Sequence, residues 1–369
     1  MKPVYNLVLF LALIFCLSAP LHAAEPDPVH IAVAGPITGP LAAFGEQIKR
    51  GVELSADAIN ANGGINGKKL AIAVYDDSCE TKQAVLVANK IVASGTKIVI
   101  GHWCSASSIA AQKIYRDEGI LHIDVGGLLS EFTTEGGPLT FRMSTTEKAF
   151  AERLSTFLVN KKNAKSVAMF YHQALVTAAL AKYMKINLDA LKTSYPIDES
   201  YMPGQRDFSA ATSKLNDKKP DALLCGGYTL ECSLLVRQTI DAGYKGTIIG
   251  WDTFNSPDFY AAIGANNTRN IYSVDYARPV HLPAFQKLND VLKSKGYPNE
   301  ITTFLSYATV EILAKSFAAG TKVENVATEM KKNTFDTVIG PVQFDTHGDR
   351  ANAALSVYQW ENGTLKVIE

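Results

Sequence analysis

The chain has 369 residues, 47% of them apolar and 20% charged, which is the balance of a globular protein long enough for two ordinary domains. Lys plus Arg equals Asp plus Glu at 36 each, so the formal net charge is zero, and no long run of one charge is present. That balance argues against nucleic acid or an anionic membrane surface as partner, because both select for basic patches or tails.

The first residues read as a secretory signal peptide over 1–24. Lys2 gives a positive start, Leu7 to Leu17 is an apolar stretch too short to span a bilayer, and Leu21-His22-Ala23-Ala24 offers small residues for cleavage. Cys16 follows Phe15, where a lipid-attachment site wants a small residue. The mature chain keeps Cys79, Cys104, Cys225 and Cys232, and an even number in an exported protein points to disulfides. Cys79 follows an expected strand over Leu70 to Tyr75 and Cys104 follows the next one, so a Cys79–Cys104 bridge is expected between neighbouring strand ends. In the chain-entropy model it stabilises by roughly 3–4 kcal/mol. Cys225 and Cys232 either close a second bridge across Gly226 to Glu231 or remain reduced, one at a strand end and one on a helix.

In chain order, Val29 to Gly35 reads as a strand, Pro36 to Phe44 as a loop, and Gly45 to Ala61 as a helix with Val52, Ala56 and Ile59 on one face. Asn62 to Gly67 is a Gly/Asn turn, Leu70 to Tyr75 a strand, and Lys82 to Ser94 a helix. Lys97 to Ile100 is a short β-branched run closed by Gly101. Ser105, Ser107 and Ser108 then open a helix that stops at Gly119, and Leu121 to Val125 is the next strand. Alternating strands and helices signal a doubly wound parallel sheet, whose ligands sit beyond the carboxyl ends of the strands. The rhythm restarts with strands at Ser166 to Tyr171, Asp221 to Cys225 and Thr247 to Gly250, the last delivering Trp251 and Asp252. Later come a strand at Ile271 to Asp275, helices at Pro283 to Lys295 and Thr303 to Ala318, and strands at Gly340 to Asp345 and Leu355 to Trp360. Two α/β blocks in the same style suggest two lobes with a cleft between them.

The stretch from Lys97 to Ser108 is the centre of this plan. A helix opening on serines directly after a strand leaves N–H groups and hydroxyls free to seat a carboxylate, although Ser105 is equally explained as a helix cap. Catalytic spacings do not appear: there is no Gly-x-Ser-x-Gly elbow, Walker loop, His-Glu-x-x-His motif or zinc spacing. His102 near Ser105 could act as a base, but on a strand-to-helix turn it reads better as a hydrogen-bonded, partly buried residue.

Several stretches resemble the leucine/isoleucine/valine-binding proteins of bacterial ABC importers. They are Ile31 to Pro40, Ile59 to Gly67, Tyr75 to Cys79, Val99 to Ser105, Tyr115 to Leu121, Cys225 to Tyr228 and Asp336 to Pro341, in order along nearly the whole mature chain. The resemblance implies a type I periplasmic binding fold, with two doubly wound lobes joined by three crossover segments near Thr145-Thr146, Asp275-Tyr276 and Ala353-Ala354. Lobe 1 would comprise 25–146 and 276–353, and lobe 2 would comprise 147–275 and 354–369. It also implies the Cys79–Cys104 bridge, a monomer in the periplasm, permease and ATPase partners, no cofactor and no catalysis.

Site residues follow from the resemblance one at a time. Ser105 and backbone amides near Gly127 would hold a ligand carboxylate, with Trp103 as an apolar wall. Leu128 stands where the family has a threonine, which removes a donor worth about 1.5–3 kcal/mol to a charged group. Asp252 stands where the family has a glutamate that meets the ligand ammonium, unless it only caps the turn that follows. Tyr228 matches a cleft tyrosine, or else packs at the hinge. Phe44 and Leu175 replace tyrosines, and Phe304 matches an aromatic of the first lobe; Phe44 and Phe304 are equally explained as packing within the lobe. The expected ligand is a neutral or branched-chain amino acid, or a related small molecule, taken up by domain closure. A sensor of the same fold for an amide or carboxylic acid is the alternative, and an exported hydrolase using Ser105 as nucleophile is a distant third.

Overall fold

The structure is a computed structural model that describes residues 26–317, 320 and 322–369; the expected signal peptide lies outside the described residues. Five parallel strands form the first sheet: β1 (Val29–Gly35), β2 (Leu70–Asp76), β3 (Ile98–Ile100), β4 (Leu121–Asp124) and β5 (Thr140–Arg142). Their order is β2-β1-β3-β4-β5, so the winding reverses between β1 and β3. Helices α1 (Ala42–Ala61), α2 (Thr81–Ala93) and α3 (Ser105–Asp117) connect the first four strands. In β1, Ile31 and Val33 join one apolar cluster, while Ala32 and Ala34 join another with Val87, Ile91 and Tyr115. Both faces of the strand are covered, which explains its unbroken apolar run.

Helix α4 (Glu147–Thr156) carries the chain to a second sheet with the same plan. Strands β6 (Ser166–His172), β7 (Ser194–Tyr201), β8 (Ala222–Gly226), β9 (Thr247–Gly250) and β10 (Ile271–Tyr276) run parallel in the order β7-β6-β8-β9-β10. Helices α5 (Leu175–Ala190), α6 (Ser209–Lys218), α7 (Thr229–Asp241) and α8 (Pro257–Ile263) complete the winding. The winding here reverses between β6 and β8. In both sheets the loops at the reversal are the crevice where doubly wound folds take their ligands.

The chain then returns to the first lobe as α9 (Pro283–Ser294), α10 (Ile301–Ser316) and α11 (Val323–Lys332), with α10 packed along α1. A hairpin of β11 (Thr334–Thr337) and β12 (Gly340–Gln343) follows. Strands β13 (Leu355–Glu361) and β14 (Thr364–Val367) then extend the second sheet in antiparallel fashion beside β10. The three passages between sheets meet at Tyr276. Its hydroxyl accepts from Thr145 N at 2.9 Å, its carbonyl accepts from the Tyr358 hydroxyl at 2.7 Å, and next to it Ala277 N donates to Ala354 O at 2.9 Å.

Both bridges form. Cys79 and Cys104 pair with a Cα separation of 5.5 Å, although β1 lies between β2 and β3. The expected pairing is therefore right and its reason wrong: the two loops converge above β1 and do not leave adjacent strands. Cys225 and Cys232 also pair, with Cα atoms 5.9 Å apart, which resolves the alternative left open by the sequence.

Candidate functional site

A cleft opens at the two reversal points, lined by Trp103, Cys104, Ser105, Gly126 and Leu128 of one lobe and by Val176, Tyr228, Trp251, Asp252 and Thr253 of the other. On the first wall, Ser105 is the first residue of α3 and Cys104 occupies the cap position, so Ser105 is not the cap its type suggested. Its Oγ accepts the Leu128 amide at 2.9 Å, and among the described residues its own proton has no acceptor. The amides of the first turn of α3 likewise lack helical carbonyl partners and carry the positive end of the helix dipole. Hydroxyl and amides together suit an anionic oxygen.

The loop beyond β4 is held rigidly. Asp124 Oδ1 accepts the amides of Gly126 and Gly127 at 2.8 and 2.7 Å, and its Oδ2 accepts the Ser108 hydroxyl. Gly127 O accepts Ser144 Oγ at 2.7 Å, and the fully buried Arg142 donates to Leu129 O at 2.9 Å and to Thr133 Oγ1 at 2.7 Å. The expected role of Gly127 is thus corrected, because its amide is consumed inside the loop and Gly126 is the glycine that faces the cleft. Gly126 is required there: a Cβ would lie 1.9 Å from Trp103 Cδ1. Trp103 has φ +77°, a backbone region that side-chain-bearing residues seldom take. Phe44 stacks behind it with ring centroids 4.0 Å apart. Phe44 belongs to α1, not to the preceding loop, and supports the wall without lining it.

His102 is fully buried between Asp77 and Tyr115, its Nδ1 2.6 Å from Asp77 Oδ2 and its Nε2 2.9 Å from the Tyr115 hydroxyl. Both ring nitrogens are engaged away from Ser105, which removes the triad needed by a serine hydrolase.

On the second wall, β9 ends at Gly250 and Asp252 is the first residue of a single 3-10 turn, Asp252–Asn255; Trp251 holds the cap position, so Asp252 is not the cap. Burial, and then the nearby Asp275 carboxylate, push the Asp252 carboxyl up to about 7. Asp275 is itself buried and raised by burial, and it is partly compensated by Arg278 at 3.2 Å and Asn255 at 2.8 Å. Among the described residues no cation pairs with the Asp252 carboxylate. Tyr228 sits beside it, its hydroxyl pushed up to about 12 by burial and by Asp252, so it stays protonated.

Two expected residues lie elsewhere. Leu175 is 61% exposed at the first position of α5, and its neighbour Val176 faces the cleft. The signal was present, since Val176 lies four residues before buried Leu180, which heads the stripe Leu180, Met184 and Leu188. Phe304 is fully buried and stacks on Phe285 with centroids 4.1 Å apart, in the core of the first lobe. Val176, Trp251, Thr253 and Gly126 were missed as lining residues.

A periplasmic binding protein family model matches residues 28–364. The Leu-, Ile-, Val-, Thr- and Ala-binding protein of Pseudomonas aeruginosa is 32% identical over 348 residues, 94% of this chain and 93% of that protein. The Leu/Ile/Val-binding protein of Escherichia coli is 31% identical over 350 residues, 93% of this chain and 94% of that one. Among solved structures, the branched-chain amino acid transporter substrate binding protein LivJ of Streptococcus pneumoniae, in complex with isoleucine, superposes with a TM-score of 0.85 at 25% identity, covering 92% of this chain and 99% of that chain. With match and architecture in agreement over nearly its whole described length, the chain belongs to the periplasmic binding protein family.

Proposed function

We propose that this protein is the substrate-binding component of an ABC importer that takes a neutral, branched-chain or similarly apolar amino acid into the interlobe cleft. The observation that carries the reading is the pairing of unlike walls across one cleft. The α3 N-terminus with Ser105 offers donors on one side, Asp252 offers an uncompensated carboxylate on the other, and Trp103, Leu128, Val176 and Trp251 supply apolar surface between them. A zwitterion with an apolar side chain complements all three. The relatives from P. aeruginosa and E. coli, named for binding such amino acids, support the choice.

On this reading the ligand bridges 25–146 with 276–353 on one side and 147–275 with 354–369 on the other, so its contacts to both lobes favour a closed form. Residues 1–24 direct export, the protein works in the periplasm as a non-catalytic carrier, and a permease with its ATPase receives the cargo. Ligand-stripped protein should melt at a higher temperature with leucine, isoleucine or valine, because binding to the native state stabilises it by mass action. No shift with any amino acid, together with a shift by an amine-free acid or amide, would replace this ligand class with the alternative one, which a protonated Asp252 carboxyl could serve as donor.

A further inference from the structure

We propose that the Cys225–Cys232 disulfide is a positioning device for the second-lobe half of the binding site; the ligand part of its test rests on the function proposed above. The bond spans only seven residues, and a short loop gains less from cross-linking than the Cys79–Cys104 loop does in the chain-entropy model, so global stability is only part of the reason for placing it there. Its position gives a better one. The closed loop is Gly226 to Glu231, and it carries Tyr228, the cleft tyrosine, and Gly227.

Gly227 is the joint between the bond and the acidic site. Its carbonyl accepts Trp251 Nε1 at 2.6 Å and Thr253 Oγ1 at 2.9 Å, the residues on either side of Asp252. On the other side it packs against the disulfide and Tyr201: a Cβ at this position would lie 1.8 Å from the Tyr201 hydroxyl and 3.3 Å from Cys232 Sγ. The Tyr201 hydroxyl in turn touches both sulfurs, 3.9 Å from Cys225 and 3.6 Å from Cys232. The disulfide, Tyr201 and Gly227 thus form one packed unit whose outward-facing carbonyl sets the direction of Trp251 and Thr253, and hence of Asp252. Cys232 N also donates to Tyr228 O at 3.1 Å, which ties the tyrosine to the same unit. Without the bond, the loop keeps its ends in β8 and α7 but loses the constraint on the Gly227 carbonyl and the Tyr228 ring.

The test uses the full mature chain, the double variant Cys225→Ala/Cys232→Ala and L-leucine as the probe. Calorimetry should find leucine binding weakened by about tenfold or more, the scale of a site left loosely supported, at a temperature where the variant is fully folded. A merely structural bond would lower the melting temperature and leave the dissociation constant alone. Double-mutant cycles add a second readout: the affinity loss should be non-additive with Tyr228→Phe and with Thr253→Val, and additive with Ser105→Ala on the opposite lobe. Hydrogen exchange of the ligand-free variant should be faster at Tyr228, Trp251 and Thr253 and unchanged at Ser105 and Leu128. That readout needs no ligand, so if the wild-type protein binds neither leucine nor any other amino acid, the function proposed above fails while exchange still decides whether the bond positions this loop. Unchanged affinity and unchanged exchange overturn the proposal. If the alanine pair does not fold, Cys225→Val/Cys232→Ala, closer in volume, takes its place; failure of both to fold assigns the bond to the fold and overturns the proposal as well.

Discussion

The Asp252 carboxyl, which has no paired cation among the described residues, makes ligand affinity depend on pH in a direction that can be worked out. Burial and Asp275 raise it to about 7 in the unliganded protein. An amino-acid ammonium beside it favours the charged form, so its pKa must fall on binding and protons must be released. Affinity then follows the deprotonated fraction: it is flat above pH 8 and falls about tenfold for each unit below 7, to about 100-fold weaker at pH 5 as long as the bound-state pKa lies lower still. At pH 6 most of these carboxyls are protonated before binding, so protons should leave as ligand binds, and more of them at pH 6 than at pH 8. Calorimetry of leucine binding in buffers of different ionisation enthalpy measures that release directly. Asp275→Asn removes the second cause of the shift, so the fall in affinity should begin at lower pH. Affinity that is constant between pH 5 and 8, or that rises on acidification with proton uptake, would refute ammonium recognition at Asp252 and favour a ligand that accepts a hydrogen bond from the neutral acid. The same raised pKa has a stability signature. The unliganded fold holds the Asp252 proton more tightly than the unfolded chain does, so this group's contribution is most favourable below pH 4 and is lost as pH rises through 7.

Other substitutions test the remaining parts of the site. Ser105→Ala should weaken leucine binding by about 10- to 100-fold, the value of a hydrogen bond to a charged group, with little change in melting temperature. Gly126→Ala places a methyl into Trp103 on a loop that Asp124 holds fixed, so affinity and tryptophan fluorescence should both change, and urea unfolding should show a loss of about 1–3 kcal/mol from overpacking. Cys79→Ala/Cys104→Ala, which opens a loop of 25 residues' separation, should lower stability by about 3.5 kcal/mol in the same experiment. Leu175→Ala should leave both affinity and stability unchanged, because its side chain is mostly solvent-exposed, whereas Val176→Ala should weaken binding.

The fold was legible because its signals are local. Strands buried on both faces read as apolar runs, as in β1, and helices such as α2 show their buried residues Ala84, Val87, Ala88 and Ile91 at helical spacing. Short or polar elements were missed: β5 has three residues, and α4 begins on charged residues with few apolar neighbours. In the site, Ser105, Trp103, Leu128, Tyr228 and Asp252 do share a cleft, because each follows directly from a strand end in a sheet whose winding reverses nearby. The residues misjudged are those whose side-chain direction depends on register. Leu175 and Val176 differ by about 100° around α5, and Gly126 and Gly127 both give their amides to Asp124 while only Gly126 borders the cleft. Phe304 fell to packing. A helix buried over most of its surface, as α10 is apart from Tyr307, Glu311, Ala314 and Lys315, gives little sign of which buried residue borders a cleft.

The two lobes repeat one sheet plan and yet present opposite chemistry, and the reason lies in what each reversal loop does with its carboxylate. In the first lobe Asp124 turns inward, where two backbone amides and a serine hydroxyl meet its demand for donors, so its charge does not face the cleft and the wall is left to the Ser105 hydroxyl and the first amides of α3. In the second lobe Asp252 comes one residue after Trp251, whose indole is already committed to Gly227 O, and Asp275 stands nearby in place of a donor. The negative charge is therefore left facing the cleft at a cost that protonation removes at lower pH and an incoming cation removes at neutral pH. On the proposed reading this cost is what makes closure conditional. An empty cleft gains nothing by bringing more low-dielectric surface over Asp252, whereas a ligand with a cationic end reverses the sign of that term and gives the closed form the differential affinity that a population shift requires.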